Sequence, residues 1–328
     1  MSEPEHTTDA PSDWERDVLN RLAFASLNEQ RRARRWGIFF KSLSFALVLL
    51  VFFFVILPGT GSVAPEVPSG PHVGVIEVEG VISSEGPASA DAVVGALRAA
   101  MENPDSEGVI VRVNSPGGSP VQAGYIYDEM RRLREEHPDT PLHAVVTDIG
   151  ASGGYYIAAG AENIYANRSS VVGSIGVTLN PFSPSAFGFT EAMEEMGIER
   201  RLITSGESKA LLDPFLPAKD AQVEHMQSVL DEMHQQFITA VREGRGERLS
   251  GDEDDLFSGL IWTGERGVEL GLVDELASTS QVARDVLEQE RLVDYTRKPS
   301  PLERFVERLG VAMARGVGQV FGASNFAY

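Results

Sequence analysis

From Val73 onward, runs of β-branched residues alternate with segments of helical spacing, and this alternation constrains the fold more than any other feature of the chain. "VGVIEVEGVI" clusters Val and Ile as a strand pair or bent strand does, and "DAVVGALRAAM" (91–101) sets apolar positions at helical spacing behind Asp91. Strand "GVIVRV" (108–113), turn "NSPGGSP", helix 121–136, strand "HAVVTD" (143–148), turn "IGASGG" and helix 155–161 follow. That order predicts an α/β fold with a largely parallel sheet and functional loops at the strand C-termini. Further on, "NIYA", "VVGSIGVTL" and "RRLITSG" read as short strands, the last leading to a loop with Lys209. Residues 218–243 form an amphipathic helix with Val223, Met226, Val229, Leu230, Met233 and Phe237 on one side. Leu302, Phe305, Val306 and Leu309 repeat that spacing in 301–321, a docking or oligomer-contact helix. No internal repeat is visible, so the body is expected to be one catalytic unit.

Upstream lies an apolar stretch, Trp36 to Leu57, whose 22 residues at about 1.5 Å rise reach roughly 33 Å. It is expected to cross a bilayer once. Arg31, Arg32, Arg34 and Arg35 precede it and no Lys or Arg follows until Arg98, a bias that puts the N-terminus in the cytoplasm. Lys41 can snorkel to the headgroups. Ser62-Val63-Ala64 offers a signal-peptidase site as the competing reading, against which stand Pro65 and the long polar segment ahead of the apolar run. The expected organisation is a cytoplasmic polar tail (1–35), a transmembrane helix (36–57), a Pro/Gly/Ser tether (58–72), a catalytic domain (73–285) and a C-terminal helical extension (286–328). The body then faces the periplasm from the inner membrane.

Charge narrows the partners. Up to Leu57 seven basic residues balance seven acidic ones, so the formal −20 of the chain resides in the remainder. Such a body repels phosphate backbones, which argues against nucleic acid. Zero cysteines exclude disulfides, thiolate zinc sites, iron–sulfur clusters and a Cys nucleophile.

Two glycine-rich turns follow consecutive strands, one with Gly117 and Gly118, the other with Ser152 flanked by Gly153 and Gly154. Backbone N–H groups in such turns can face a developing oxyanion, and glycine lets a substrate backbone approach. Ser152 is either a helix cap or a nucleophile. Gly150 to Gly154 fits G-x-S-x-G in strand–turn–helix context, a pattern that needs a His base. After Ser152 the histidines are His225 and His234, both inside the long helix. A serine can instead be activated by an unprotonated lysine. Outside the apolar stretch the lysines are Lys209, Lys219 and Lys298; Lys219 and Lys298 have charged neighbours, whereas Lys209 precedes "ALLDPF", whose apolar residues can exclude water.

"VNSPGGS", "GASGGYYIAAGA", "VVGSIGV", "TSGESKALLDPF" and "IWTGERGVELGLVDEL" together resemble the signal peptide peptidase A (SppA) family of membrane-bound serine proteases, peptidase family S49, in its short form. The resemblance covers roughly residues 73–285 and implies a Ser/Lys dyad on a ClpP/crotonase-like fold. By it, Ser152 matches the nucleophile and Lys209 the general base. Ser174 matches a serine that holds the lysine amine, and Gly118 the oxyanion donor, with the N–H of Gly153. No metal or organic cofactor is implied. Short members resemble one half of long tandem members and assemble into rings or domes, so Lys209 is expected to meet the serine of an adjacent subunit. The implied substrates are cleaved signal peptides or membrane-proximal peptides.

Three rivals predict otherwise. A crotonase-like acyl-CoA enzyme would not need Lys209. A Ser/His hydrolase would need His225 or His234, and a non-catalytic membrane scaffold would tolerate loss of Ser152.

Overall fold

The computed structural model describes residues 13–56, 69–179 and 188–297. The chain divides into two units, of which the described parts are a helix, α1 (Asp13–Ile56), and an α/β body over 69–297. Along α1, Ile38, Phe39, Phe40, Leu43, Phe45 and Leu47 are all exposed. Among the described residues no helix is long and apolar enough to cross a membrane. The side chains of residues 51–56 and all of Leu57, the end of the expected span, lie outside the description, as do most of the tether and residues 301–321.

The body begins with the predicted alternation: β1 (His72–Glu79), α2 (Ala90–Met101), β2 (Ser106–Ser115), α3 (Pro120–Glu136) and β3 (Leu142–Ala151). β1, β2 and β3 pair in parallel, with Ile76 beside Val111 and Val111 beside Ala144. Their near-continuous Val/Ile content suits strands covered on both faces. On one face Ile76, Val78, Val111, Val113 and Val146 join the main core under the helices; on the other Val73, Ile110, Val145 and Tyr165 pack with Val282 and Ala283. α2 starts one residue before Asp91, because the hydroxyl of Ser89 accepts from the Ala92 N–H and caps it. Arg98 of α2 and Arg132 of α3 share the carboxylate of Glu129, each at 2.6 Å. Hydrogen bonds from Arg132 and then Arg98 hold the Glu129 carboxyl down at about 2.

Beyond β3 come α4 (Gly153–Ala158), β4 (Ile164–Ala166), β5 (Val171–Gly173), α5 (Thr190–Glu195) and α6 (Asp220–Arg245). Then follow α7 (Glu253–Leu256), β6 (Ile261–Thr263), α8 (Gly264–Glu269), β7 (Glu275–Leu276), α9 (Thr279–Gln281) and β8 (Leu292–Asp294). The sheet runs β6-β5-β3-β2-β1-β8, with β4 pairing β3 and β7; β5–β6 is its antiparallel pair. β8 joins β1, so the sheet extends past residue 285.

Two sequence expectations change. "RRLITSG" is not a strand: no ladder pairs it, and Ile203 is 97% exposed. β-branched residues favour extension, but a strand also needs an edge to bond to. The predicted apolar side of α6 is buried only from Phe237 onward, with Ile238, Val241 and Gly244. Met226, Val229 and Leu230 are half-buried, whereas Val223 and Met233 stay 48% and 38% exposed.

Candidate active site

Ser152 stands between β3 and α4 with φ 52° and ψ −125°, left-handed backbone that a non-glycine residue adopts only under external constraint. The constraint is visible. Its N–H donates to Gly173 O at 2.9 Å, and its carbonyl accepts from Tyr156. α4 is fixed in turn: buried Tyr155 donates through its hydroxyl to Leu272 O at 2.9 Å, and Tyr156 stacks on Phe237 of α6 at 4.7 Å. Burial raises the Tyr155 hydroxyl well above its ordinary value, so it stays a neutral donor. The side chain of Ser152 makes no cap bond. Of the two roles open to it in the sequence, helix cap is therefore unfilled.

The facing turn, Ser115 to Ser119, leads from β2 into α3. Buried Ser115 accepts the Gly117 N–H at 3.1 Å, and Ser119 caps α3 at Gln122. Ile82 donates to Gly117 O and accepts from Ser119, a parallel bridge that aims the intervening Gly118 N–H and C=O away from Ile82. Only glycine fits here. A Cβ on Gly117 would lie 2.7 Å from Ser152 Cβ and 3.0 Å from its Oγ, and one on Gly118 would lie 2.0 Å from Ile82 O. A Cβ on Gly153 would lie 3.4 Å from Gly118 N, so the two amides border one small space beside Ser152. Among the described residues neither the Gly118 nor the Gly153 N–H has an acceptor. Gly153 opens α4, where the first N–H groups have no intrahelical partner.

Ser174 adjoins this site through the sheet. Ala151 pairs with Gly173, so the residues that follow them, Ser152 and Ser174, emerge side by side from β3 and β5. Ser174 also has φ 52°, and its N–H donates to Leu260 O at 2.7 Å. His234 donates through Nε2 to Ile175 O at 2.9 Å. Its place in a helix concealed this role in the sequence; the signal was its alignment with the side of α6 that turns inward. Asn114, near the end of β2, bonds Asp148 of β3 at 3.3 Å, a further link that sequence reasoning missed.

Lys209 lies elsewhere, on an exposed turn between α5 and α6, where its N–H donates to Gly206 O. Among the described residues no hydrogen bond or ion pair engages its amine, and none joins it to Ser152 or Ser174. The neighbouring "ALLDPF" does not bury it within one chain. That segment folds locally instead. Asp213 takes the Arg200 guanidinium at 2.7 Å and caps the Phe215 N–H, and Phe189 stacks on Phe215 at 5.5 Å. Lys219 is the residue at the N-terminal cap of α6; His225 is exposed; Lys298 lies outside the described residues. Among the described residues no group of His, Asp and Glu is arranged to hold a metal ion.

A serine raised on a strained strand-to-helix turn, with uncommitted amides at its side, has the geometry that serine hydrolases use for a nucleophile. Its family follows from comparison with known proteins. The profile of peptidase family S49 matches residues 134–294, and the chain belongs to that family. A provisionally named protease of Synechocystis is 32% identical over 236 residues, 70% of this chain and 80% of that protein. A provisionally named signal peptide peptidase SppA of Enterococcus faecium is 28% identical over 200 residues, 61% of this chain and 56% of its own length. A Brucella abortus protein named Na(+)/H(+) antiporter NhaA is 39% identical over 218 residues, 65% of this chain but 29% of that protein. The chain thus spans less than two thirds of the latter two relatives. The antiporter name describes a protein that is mostly outside the match.

Proposed function

We propose that the chain is a membrane-anchored endopeptidase of ClpP/crotonase-like fold, in which Ser152 is the nucleophile and Lys209 of a neighbouring copy is the general base. The observation that carries this is the pairing of a left-handed Ser152 with the uncommitted amides of Gly118 and Gly153. The neutral Lys209 amine takes the Ser152 proton as Oγ attacks the scissile carbonyl carbon. The oxyanion that forms is met by the Gly118 and Gly153 N–H groups, each such donor worth about 10²–10³ in rate. The lysine then gives its proton to the departing amine as the C–N bond breaks, leaving an acyl-serine. Water, deprotonated by the same amine, releases the acid. Ser174, beside Ser152, orients the amine.

Lys209 supplied in trans accounts for an amine that one chain leaves exposed, and the exposed Val223 and Met233 of α6 offer a surface for the neighbour. Stacking of copies would supply the desolvation that keeps a lysine neutral. The exposed apolar residues of α1 behind four arginines support a single-pass anchor with the body outside the cytoplasm. Substrates are then short peptides near the membrane, released signal peptides above all.

The test is cleavage of fluorogenic peptides by the full chain and by Ser152→Ala, Lys209→Ala and Lys209→Arg. All three variants are expected to be inactive, and a mixture of the two alanine variants, once co-assembled, is expected to regain turnover. Undiminished cleavage by either lysine variant removes the dyad.

A further inference from the structure

The chain leaves the sheet after Gly173 and packs back against the body in α6, and Lys209 lies in the sequence between. His234, midway along α6, bonds the carbonyl of Ile175 at 2.9 Å across 59 residues, so one side chain joins the outgoing and returning feet of that excursion. The outgoing foot is also the segment of Ser174. Gly173 O holds the Ser152 N–H, Ser174 donates to Leu260, and the Ile175 side chain is buried in the main core.

We propose that His234 is a positioning residue for the peptidase reaction, holding Ser174 and the root of the Lys209 excursion in register with Ser152. This rests on the Ser/Lys reading above. Ser174 keeps its left-handed backbone only while groups on both sides of it are fixed. Leu260 O fixes its N–H side and His234 the carbonyl one residue on. Without the imidazole, the Ile175 carbonyl is free to turn toward water, and rotation of that peptide carries Ser174 with it. The role is not that of a base, since the Nε2 proton is already committed to a carbonyl oxygen.

Kinetics of peptide cleavage separate these roles. His234→Phe is expected to lower kcat about tenfold to a hundredfold with KM within about twofold, the scale of a small misplacement beside reacting atoms. His234→Gln, whose amide N–H reaches the same carbonyl, is expected to restore kcat to within about threefold of the parent. His234→Asn is polar but too short, so it should match Phe and serves if Phe perturbs folding. In a Ser174→Ala background the Phe substitution should cost less than about threefold more, because the two residues act as one unit. Full kcat in both the Phe and Asn variants, a Gln variant as impaired as Phe, or additive losses with Ser174→Ala would each overturn the proposal. Retained cleavage by Ser152→Ala or Lys209→Ala in the same series would instead remove the reading beneath it.

Discussion

Replacing Gly118 by alanine tests the oxyanion space directly. The added Cβ would stand 2.0 Å from Ile82 O and 2.7 Å from Ile82 N, on a backbone with φ +149°. Ordinary contact needs about 3.5 Å, so the turn must retreat by about 1.5 Å and the Gly118 amide moves with it. A displacement of about 1 Å beside reacting atoms costs on the order of 10² in rate, and outright loss of one oxyanion donor about 10²–10³, or about 2.7–4 kcal/mol. The positive φ adds about 1–2 kcal/mol of folding cost that has nothing to do with catalysis. Gly86→Ala isolates that part, since Gly86 has φ +92° with open space where a Cβ would go. The expected result is a kcat for Gly118→Ala about 10²-fold or more below that of Gly86→Ala. Peptide cleavage and labelling of Ser152 by a serine-directed acylating probe provide the readouts, with thermal melts to confirm folding. Folded Gly118→Ala that turns over within about threefold of Gly86→Ala would refute the assignment of this amide to the oxyanion.

Acid should weaken the α2–α3 contact. The Glu129 carboxyl is held at about 2 against an ordinary 4.5, so its contribution is complete above pH 4.5 and fades as pH falls toward 2. With both guanidiniums partly exposed, that contribution is about 1 kcal/mol, and Glu129→Gln should flatten the acid limb of a denaturant-monitored stability profile between pH 4.5 and 2. Phe237→Ala removes the ring that stacks on Tyr156 and should destabilise the fold by about 3–4 kcal/mol in urea titration. Val223→Glu with Met233→Glu, both exposed on α6, should shift stability by less than about 0.5 kcal/mol while abolishing assembly in sedimentation and peptide turnover.

The central sheet was legible because β1, β2 and β3 are buried on both faces and their Val/Ile content has no other use. The elbow was legible because glycines on both sides of Ser152 follow a strand and open a helix. β4 and β5 were read as short strands, in "NIYA" and at the start of "VVGSIGVTL", whereas β6, β7 and β8 are two or three residues long, too short for any period to register, and owe their existence to partners already in the sheet. The segment around Ile203 failed in the opposite direction, being rich in strand formers with no edge to join. The stripe of α6 obeys a helical period throughout, yet periodicity states which side is apolar and not how far the covering surface extends. The role of His234 was hidden for a related reason: its alignment with the inward side of α6 was readable, but the carbonyl it meets is placed opposite by residues far away.

Ser152 and Ser174 share a positive φ of 52° that glycine would adopt freely, so the fold is less stable with serine at these two positions than it would be without their side chains. Ser152→Gly should therefore raise the melting temperature while destroying turnover. Selection for robustness alone would erase both hydroxyls. Their presence at positive φ is a thermodynamic handicap for which the proposed chemistry supplies a reason.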